Sequence, residues 1–261
     1  MTIIFAHRGA SKQCPENTLS AYKRAVEIGA GGIEIDIQLS KDGIPVVIHD
    51  RTLKRTTSGK GIVTETNFSD LKSLDAGSWF SSAYKEERIP SLEEILIWAS
   101  DYSDLCLNVE LKYYSANDDK LARTAIPLIK QYRSDKNTMI SSFEHDRLLE
   151  VHKLWPKLET APLYKGNLHE PWNYAKKLKA KAIHPQYKSM HEALVKSVKS
   201  HGIKVRPYTV NEEKSLRQFL DWEVDGIMTD VPDLALNIMH NKEMTQQKQP
   251  WWKNLWNVIT R

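Results

Sequence analysis

Gly32-Ile33-Glu34-Ile35-Asp36-Ile37-Gln38-Leu39 alternates aliphatic and polar side chains along its whole length. A period of two is the mark of a β-strand, and it puts Ile33, Ile35 and Ile37 on one face with Glu34 and Asp36 on the other. Two further runs repeat the pattern. Ile3-Ile4-Phe5-Ala6 leads into His7-Arg8-Gly9, and Leu107-Asn108-Val109-Glu110-Leu111-Lys112 sets Glu110 and Lys112 on a common face. A fourth apolar run, Val46-Val47-Ile48, ends on His49-Asp50. Charged side chains are rare in such apolar strands unless they are paired, bind a metal or do chemistry. These runs therefore predict one site assembled from strand ends.

Working outward, strand patterns fall at residues 3–7, 32–39, 105–112, 138–143, 160–164, 180–185, 203–209 and 226–229. Helical patterns alternate with them near 18–28, 90–100, 120–132, 145–155, 171–178, 191–201, 212–222 and 233–241. Eight β units in strict alternation with helices predict an α/β protein, a single (β/α)₈ TIM barrel over residues 1–240, with chemistry at the C-terminal ends of its strands. Asp42-Gly43 reads as a hairpin turn leading to 45–49. Residues 51–88 lack periodicity and are read as a small insertion after the second β unit.

Composition narrows the function classes. The net charge of +4 is spread along the 261 residues without a basic stripe interleaved with aromatics, so nucleic acid is not an expected partner. Cys14 and Cys106 have neither a disulfide framework nor zinc-ligand spacing. No segment reaches the ~18 apolar residues of a membrane span, and no signal peptide is evident. The expectation is a protein of the reducing cytoplasm.

Glu34, Asp36 and Glu110 on neighbouring strands would be unstable as three partly dry anions unless a cation neutralised them. An oxygen-only donor set points to Mg²⁺, Ca²⁺ or Mn²⁺. Arg8 and Lys112 beside that ion suit a phosphate. His7 and His49 supply the acid and base that cleavage of a phosphodiester requires near neutral pH. No Gly-x-Ser-x-Gly elbow or Walker A loop competes with this reading.

His7-Arg8-Gly9-Ala10, Pro15-Glu16-Asn17-Thr18, Glu34-x-Asp36, Lys41-Asp42-Gly43, Val46-Val47-x-His49-Asp50, Arg55-Thr56-Thr57, Ile89-Pro90-Ser91-Leu92-Glu93-Glu94, Glu110-x-Lys112, Ser141-Ser142-Phe143, Tyr208-Thr209-Val210-Asn211 and Asp225-Gly226-Ile227-Met228-Thr229-Asp230-x-Pro232 occur in this order. In that order and spacing the chain resembles the glycerophosphodiester phosphodiesterases over roughly residues 2–236. The resemblance implies a TIM barrel, a divalent cation, and hydrolysis of small-molecule glycerophosphodiesters to sn-glycerol 3-phosphate and an alcohol. It assigns His7 and His49 to acid/base work, Glu34, Asp36 and Glu110 to the metal, and Arg8 and Lys112 to phosphate. It leaves open whether water attacks directly or the glycerol 2-hydroxyl first closes a cyclic phosphate. Tyr208 stands where similar relatives carry Trp. Two alternatives are a lysophospholipase D reaction, and a non-catalytic barrel that binds a phosphate ligand.

Several residues carry a second reading. Tyr208, Phe143, His184 and Trp79 are candidates for the pocket wall, although Trp79 with Phe80 and Tyr84 equally suits a small satellite core. Arg206 is read as either packing or substrate contact, and Glu16 as helix-start chemistry. His145, His152, His169, His191 and His201 read as solvent-facing. In the tail, residues 241–261, Trp251, Trp252, Leu255, Trp256 and Ile259 share one helical face near Lys253 and Arg261. This suits either peripheral membrane contact through residues 250–261 or docking across the barrel or at a dimer contact.

Overall fold

The computed structural model describes residues 2–114 and 120–247. Eight parallel strands run β8-β7-β6-β5-β4-β2-β1-β9. They are β1 (Ile3–Ala6), β2 (Gly32–Leu39), β4 (Cys106–Leu111), β5 (Thr138–Ser142), β6 (Glu159–Tyr164), β7 (Ala182–Pro185), β8 (Lys204–Val205) and β9 (Gly226–Thr229). A short β3 (Pro45–Val47) lies antiparallel on β2. Backbone bonds from Asp225 N to Val205 O (2.9 Å), Met228 N to Pro207 O (3.0 Å) and Val210 N to Met228 O (2.9 Å) join the β8 and β9 segments, which brings the sheet round into the expected barrel. The seventh unit, β8, is shorter than the predicted 203–209, and Pro207 has no N–H to give to a ladder.

Helices α1 (Leu19–Glu27), α3 (Leu92–Ala99), α4 (Leu121–Tyr132), α5 (His145–Leu154), α6 (Pro171–Lys177), α7 (Glu192–Ser200), α8 (Glu213–Asp221) and α9 (Pro232–Gln247) follow the strands, with α2 (Phe68–Ser73) in the excursion. Their starts are set locally. Thr18 caps α1 through Ala21 N, and Ser91 with Glu94 forms a reciprocal capping box on α3. None of the described helices is long and apolar enough to cross a membrane. The Trp-rich reading of the tail lies outside the described residues.

The period-two alternation decides which side chains enter the barrel. Ile33, Ile35, Ile37, Leu107, Val109 and Leu111 pack outward against Tyr22, Ala25, Ile95, Leu96, Ala125 and Ile126 of the surrounding helices. Phe5, Met139 and Met228 form a separate cluster inside. The opposite parity carries Glu34, Asp36, Asn108 and Glu110, all buried, into the lumen. Arg206 and His184 are buried there too. Arg206 pairs with Glu159 (Nη1 to Oε1, 2.6 Å) at the start of β6, so it belongs to packing rather than to a substrate contact. His184 is 0% exposed beside Arg206.

Residues 51–88 are largely irregular, as expected, and hold a small core of Val46, Ile48, Leu53, Val63, Leu71, Ala76 and Ile89. Trp79, Phe80 and Tyr84 stand edge to face in a row, and the Tyr84 hydroxyl donates to Gln13 O (3.2 Å). Trp79 bonds Ala76 O through its indole N–H and is 40% exposed. His145 departs from the solvent-facing reading, since both of its ring nitrogens are engaged, one by Tyr174 and one by Leu163 O.

Candidate active site

The three acidic residues meet at the C-terminal end of the barrel. The β2–β4 register sets Asp36 opposite Glu110 and Glu34 opposite Asn108. One carboxylate oxygen from each of Glu34, Asp36 and Glu110 lies within 4.8 Å of the others. Burial, with the charges of Asp36 and Glu110, pushes the Glu34 carboxyl well above its usual range. Burial also opposes ionisation of Asp36, but Lys112 and Arg8 outweigh it and hold that carboxyl below its usual range. Burial raises Glu110 despite Lys112. Glu34 Oε1 is buried without a hydrogen-bond donor. A trio of dry carboxylates with an unsatisfied oxygen fits a hard divalent cation, which would satisfy both the charge and the lone pairs.

Two cations flank the trio. Lys112 Nζ contacts Asp36 Oδ1 (3.1 Å) and donates to Glu110 Oε1. Arg8 places Nε 3.2 Å from Asp36 Oδ2 and Nη1 2.8 Å from Glu16 Oε1, while its backbone N–H donates to Glu34 Oε2 (2.9 Å). Asn17 completes the cradle with a bond from Nδ2 to Asp36 Oδ2 (2.9 Å). Neither Arg8, with five N–H donors, nor Lys112, with three, is exhausted by these contacts.

The sharp turn that delivers Arg8 depends on Gly9. Gly9 has φ +82°, and a Cβ there would lie 2.6 Å from the Ala21 carbonyl carbon. Gly9→Ala combines backbone strain with a clash against α1. It should destabilise the protein by about 2 kcal/mol or more and lower Tm by roughly 4–8 °C in a thermal melt. An unchanged melt would show that the turn is less constrained than its geometry requires.

Both imidazoles are backed by an aspartate. His7 Nδ1 is 2.6 Å from Asp230 Oδ1, and His49 Nδ1 is 2.7 Å from Asp50 Oδ1. A carboxylate only accepts, so each Nδ1 carries the proton and Nε2 is the ring nitrogen left for other partners. His7 Nε2 lies 4.0 Å from Glu34 Oε2. The two dyads are held differently. Asn211 and Ser11 donate to Asp230, whereas Arg55 clasps Asp50 through Nε (2.6 Å) and Nη2 (2.9 Å). Burial lowers the His49 pKa, with Lys112 and Arg8 adding to the effect and Asp36 and Asp50 opposing it. Gln38 donates its side-chain N–H groups to three successive carbonyls, Ile48, His49 and Asp50, which pins the segment that presents the ring.

The structure thus brings His7, Arg8, Glu34, Asp36, Glu110 and Lys112 together by direct contact, and His49 is linked to them through Asp50, Arg55 and Glu16. Tyr208 and Phe143 meet edge to face at 6.0 Å on the far rim, and the Tyr208 hydroxyl donates to Tyr164 O (3.1 Å). No direct contact joins Trp79 to the cluster among the described residues. Glu16 is not a helix cap, because Thr18 takes that position and the Glu16 carboxylate bridges Arg8 and Arg55. Sequence reasoning gave no role to Asn17, Arg55, Asn211 or Asp230. Their only signal was their place in the segments 15–18, 55–57, 208–211 and 225–232 that carry the family resemblance.

Comparison with known proteins agrees with this geometry. The model of the glycerophosphoryl diester phosphodiesterase family matches residues 7–234. A glycerophosphodiester phosphodiesterase of Caldanaerobacter subterraneus is 41% identical, the match covering 91% of this chain and 98% of the relative. One from Bacillus altitudinis is 39% identical over the same shares. Among solved structures, an Oleispira antarctica phosphodiesterase in complex with the product sn-glycerol-3-phosphate superposes with a TM-score of 0.87 at 31% identity, covering 92% of this chain and 97% of that one. With a match to the family model over residues 7–234 and relatives this similar, the chain belongs to the glycerophosphoryl diester phosphodiesterase family and is an enzyme of that class.

Proposed function

We propose that this enzyme hydrolyses glycerophosphodiesters of small alcohols to sn-glycerol 3-phosphate, with a divalent cation held by Glu34, Asp36 and Glu110 and with His7 and His49 as its proton-transfer pair. The observation that carries the reading is convergence on Asp36. Both cations contact that one carboxylate, at 3.1 and 3.2 Å, and His7 Nε2 lies 4.0 Å from the neighbouring Glu34, so proton-transfer and phosphate-binding groups flank the acidic trio.

When bound, the cation would polarise a phosphoryl oxygen and offset developing negative charge. Arg8 and Lys112, fixed by Asp36, Glu16 and Glu110, retain donors for the phosphate oxygens and hold the diester in one orientation. The lowered pKa of His49 keeps its Nε2 unprotonated near neutrality, the state needed to accept a proton from the attacking hydroxyl. As the new P–O bond forms, the bond to the alcohol breaks. His7, backed by Asp230, is left to protonate the departing oxygen. Phe143 and Tyr208 would wall the organic end of the substrate, the Tyr208 ring being fixed by the bond from its hydroxyl to Tyr164 O.

The test is a substrate and metal panel. Protein stripped with a chelator and resupplied with Mg²⁺, Ca²⁺ or Mn²⁺ should release sn-glycerol 3-phosphate from glycerophosphocholine only when an ion is returned. Lysophosphatidylcholine, assayed beside it, should turn over at least tenfold more slowly. Failure to cleave the diester with any of the three ions would favour a non-catalytic phosphate-binding barrel. Preference for the acylated diester would favour the lysophospholipase D reading, and activity untouched by chelation would remove the metal.

A further inference from the structure

We infer that Arg55, supplied by the excursion after β3, is a positioning residue that couples the base His49 to the phosphate-binding Arg8 through a bridge of two carboxylates. The inference rests on the proton-transfer role assigned above to His49.

The Arg55 guanidinium makes four charge-assisted hydrogen bonds. Nε and Nη2 reach Asp50 at 2.6 and 2.9 Å, and Nη1 and Nη2 reach Glu16, both at 2.7 Å. Each carboxylate passes the constraint on. Asp50 accepts a hydrogen bond from His49 Nδ1, and Glu16 accepts one from Nη1 of Arg8, whose Nε lies against Asp36. The result is a line of alternating charge, Asp36, Arg8, Glu16, Arg55, Asp50 and His49, drawn from separate stretches of the chain. Glu16 is only 12% exposed and Asp50 27%, so this is no loose surface pair. A planar fork that serves two carboxylates at once fixes their relative orientation, which a lysine could not do. The excursion therefore does more than cover the site, since without its arginine neither dyad partner nor phosphate ligand keeps its bearing.

The bridge also sets charge. Arg55 holds the Asp50 carboxyl down to about 2, so that part of the Asp50 charge is balanced from outside rather than by His49. The charged groups acting on the His49 ring are Asp36, Lys112, Arg8 and Asp50, and the hydroxyl of Tyr114 bonds its carbonyl. None of these groups is itself removed when Arg55 is replaced. Removing the guanidinium should raise the protonation midpoint of His49, because the full Asp50 charge would then stabilise the imidazolium.

Arg55→Gln and Arg55→Lys test the inference in the metal-loaded, full-length enzyme. Arg55→Gln should lower kcat on glycerophosphocholine by about ten- to a hundredfold. It should also move the His49 imidazole titration, read by NMR, and the acid limb of kcat/KM upward by about half a pH unit. Ion affinity in a calorimetric titration and the circular dichroism spectrum should stay at wild-type values. Arg55→Lys should return the titration toward wild type while kcat remains depressed, which separates charge from geometry. Wild-type kcat and pH profile in Arg55→Gln, or a loss uniform across pH that tracks a loss of folded protein, would overturn the inference. Absent diester turnover in the wild type would count against the proposed function instead, and the NMR titration would still decide whether Arg55 governs His49.

Discussion

His7→Ala and His49→Ala are each expected to reduce turnover of glycerophosphocholine by about a thousandfold or more, with the folded structure intact. General acid or base assistance contributes about 10²–10⁴ in rate, and here each imidazole is held by its own aspartate. The fold should survive because neither ring belongs to the packed layers. The side chains are 16% and 27% exposed, beyond the ends of β1 and β3, and the hydrophobic clusters do not include them. Steady-state kinetics with a thermal melt separates the two effects. Activity within tenfold of wild type in either variant would remove that histidine from proton transfer.

Asp36→Asn should be the most damaging isosteric change in the protein. Its carboxylate faces Lys112 Nζ at 3.1 Å and Arg8 Nε at 3.2 Å, and it accepts Asn17 Nδ2 at 2.9 Å, all in a fully buried position. An amide NH₂ group in that place would set donors against donors and leave two buried cations without their shared counter-charge. Breaking a buried ion pair costs about 3–5 kcal/mol, equivalent here to a fall in Tm of roughly 6–20 °C. A second signature is the metal response. The wild type should melt higher as Mg²⁺ or Mn²⁺ is added, because a ligand of the folded state stabilises it, and the variant should not. Equal stabilisation of both proteins by the ion would place the cation elsewhere.

Much of this arrangement was legible in the sequence because its signals are local. Period-two alternation separated Ile33, Ile35 and Ile37 from Glu34 and Asp36, and the same parity placed Glu110 and Lys112, so the strand-borne half of the site followed from spacing alone. The other half depends on loops that meet only in the folded chain. His7 and Asp230 are 223 positions apart, and Glu16 and Arg55 are 39 apart. No periodicity links them. Glu16 beside Pro15 and ahead of Thr18 imitates a helix start, and only the observed Thr18 cap shows that its carboxylate is free for Arg8 and Arg55. His184 shares the inward parity of its strand end and is as fully buried as Asp36, so parity alone does not tell a pocket wall from packing.

The amide of Gln38 limits how far the acidic row on β2 can extend. Positions 34, 36 and 38 point the same way, and a third acid would be the simplest means of recruiting another ion. The side chain at 38, however, must donate to the carbonyls of Ile48, His49 and Asp50. A carboxylate there would oppose three lone pairs with no hydrogen of its own and would release the loop that bears the base. A binuclear centre is thus closed to this strand unless the loop finds a different anchor, so a change of metallation number and a redesign of the base loop would have to arise together.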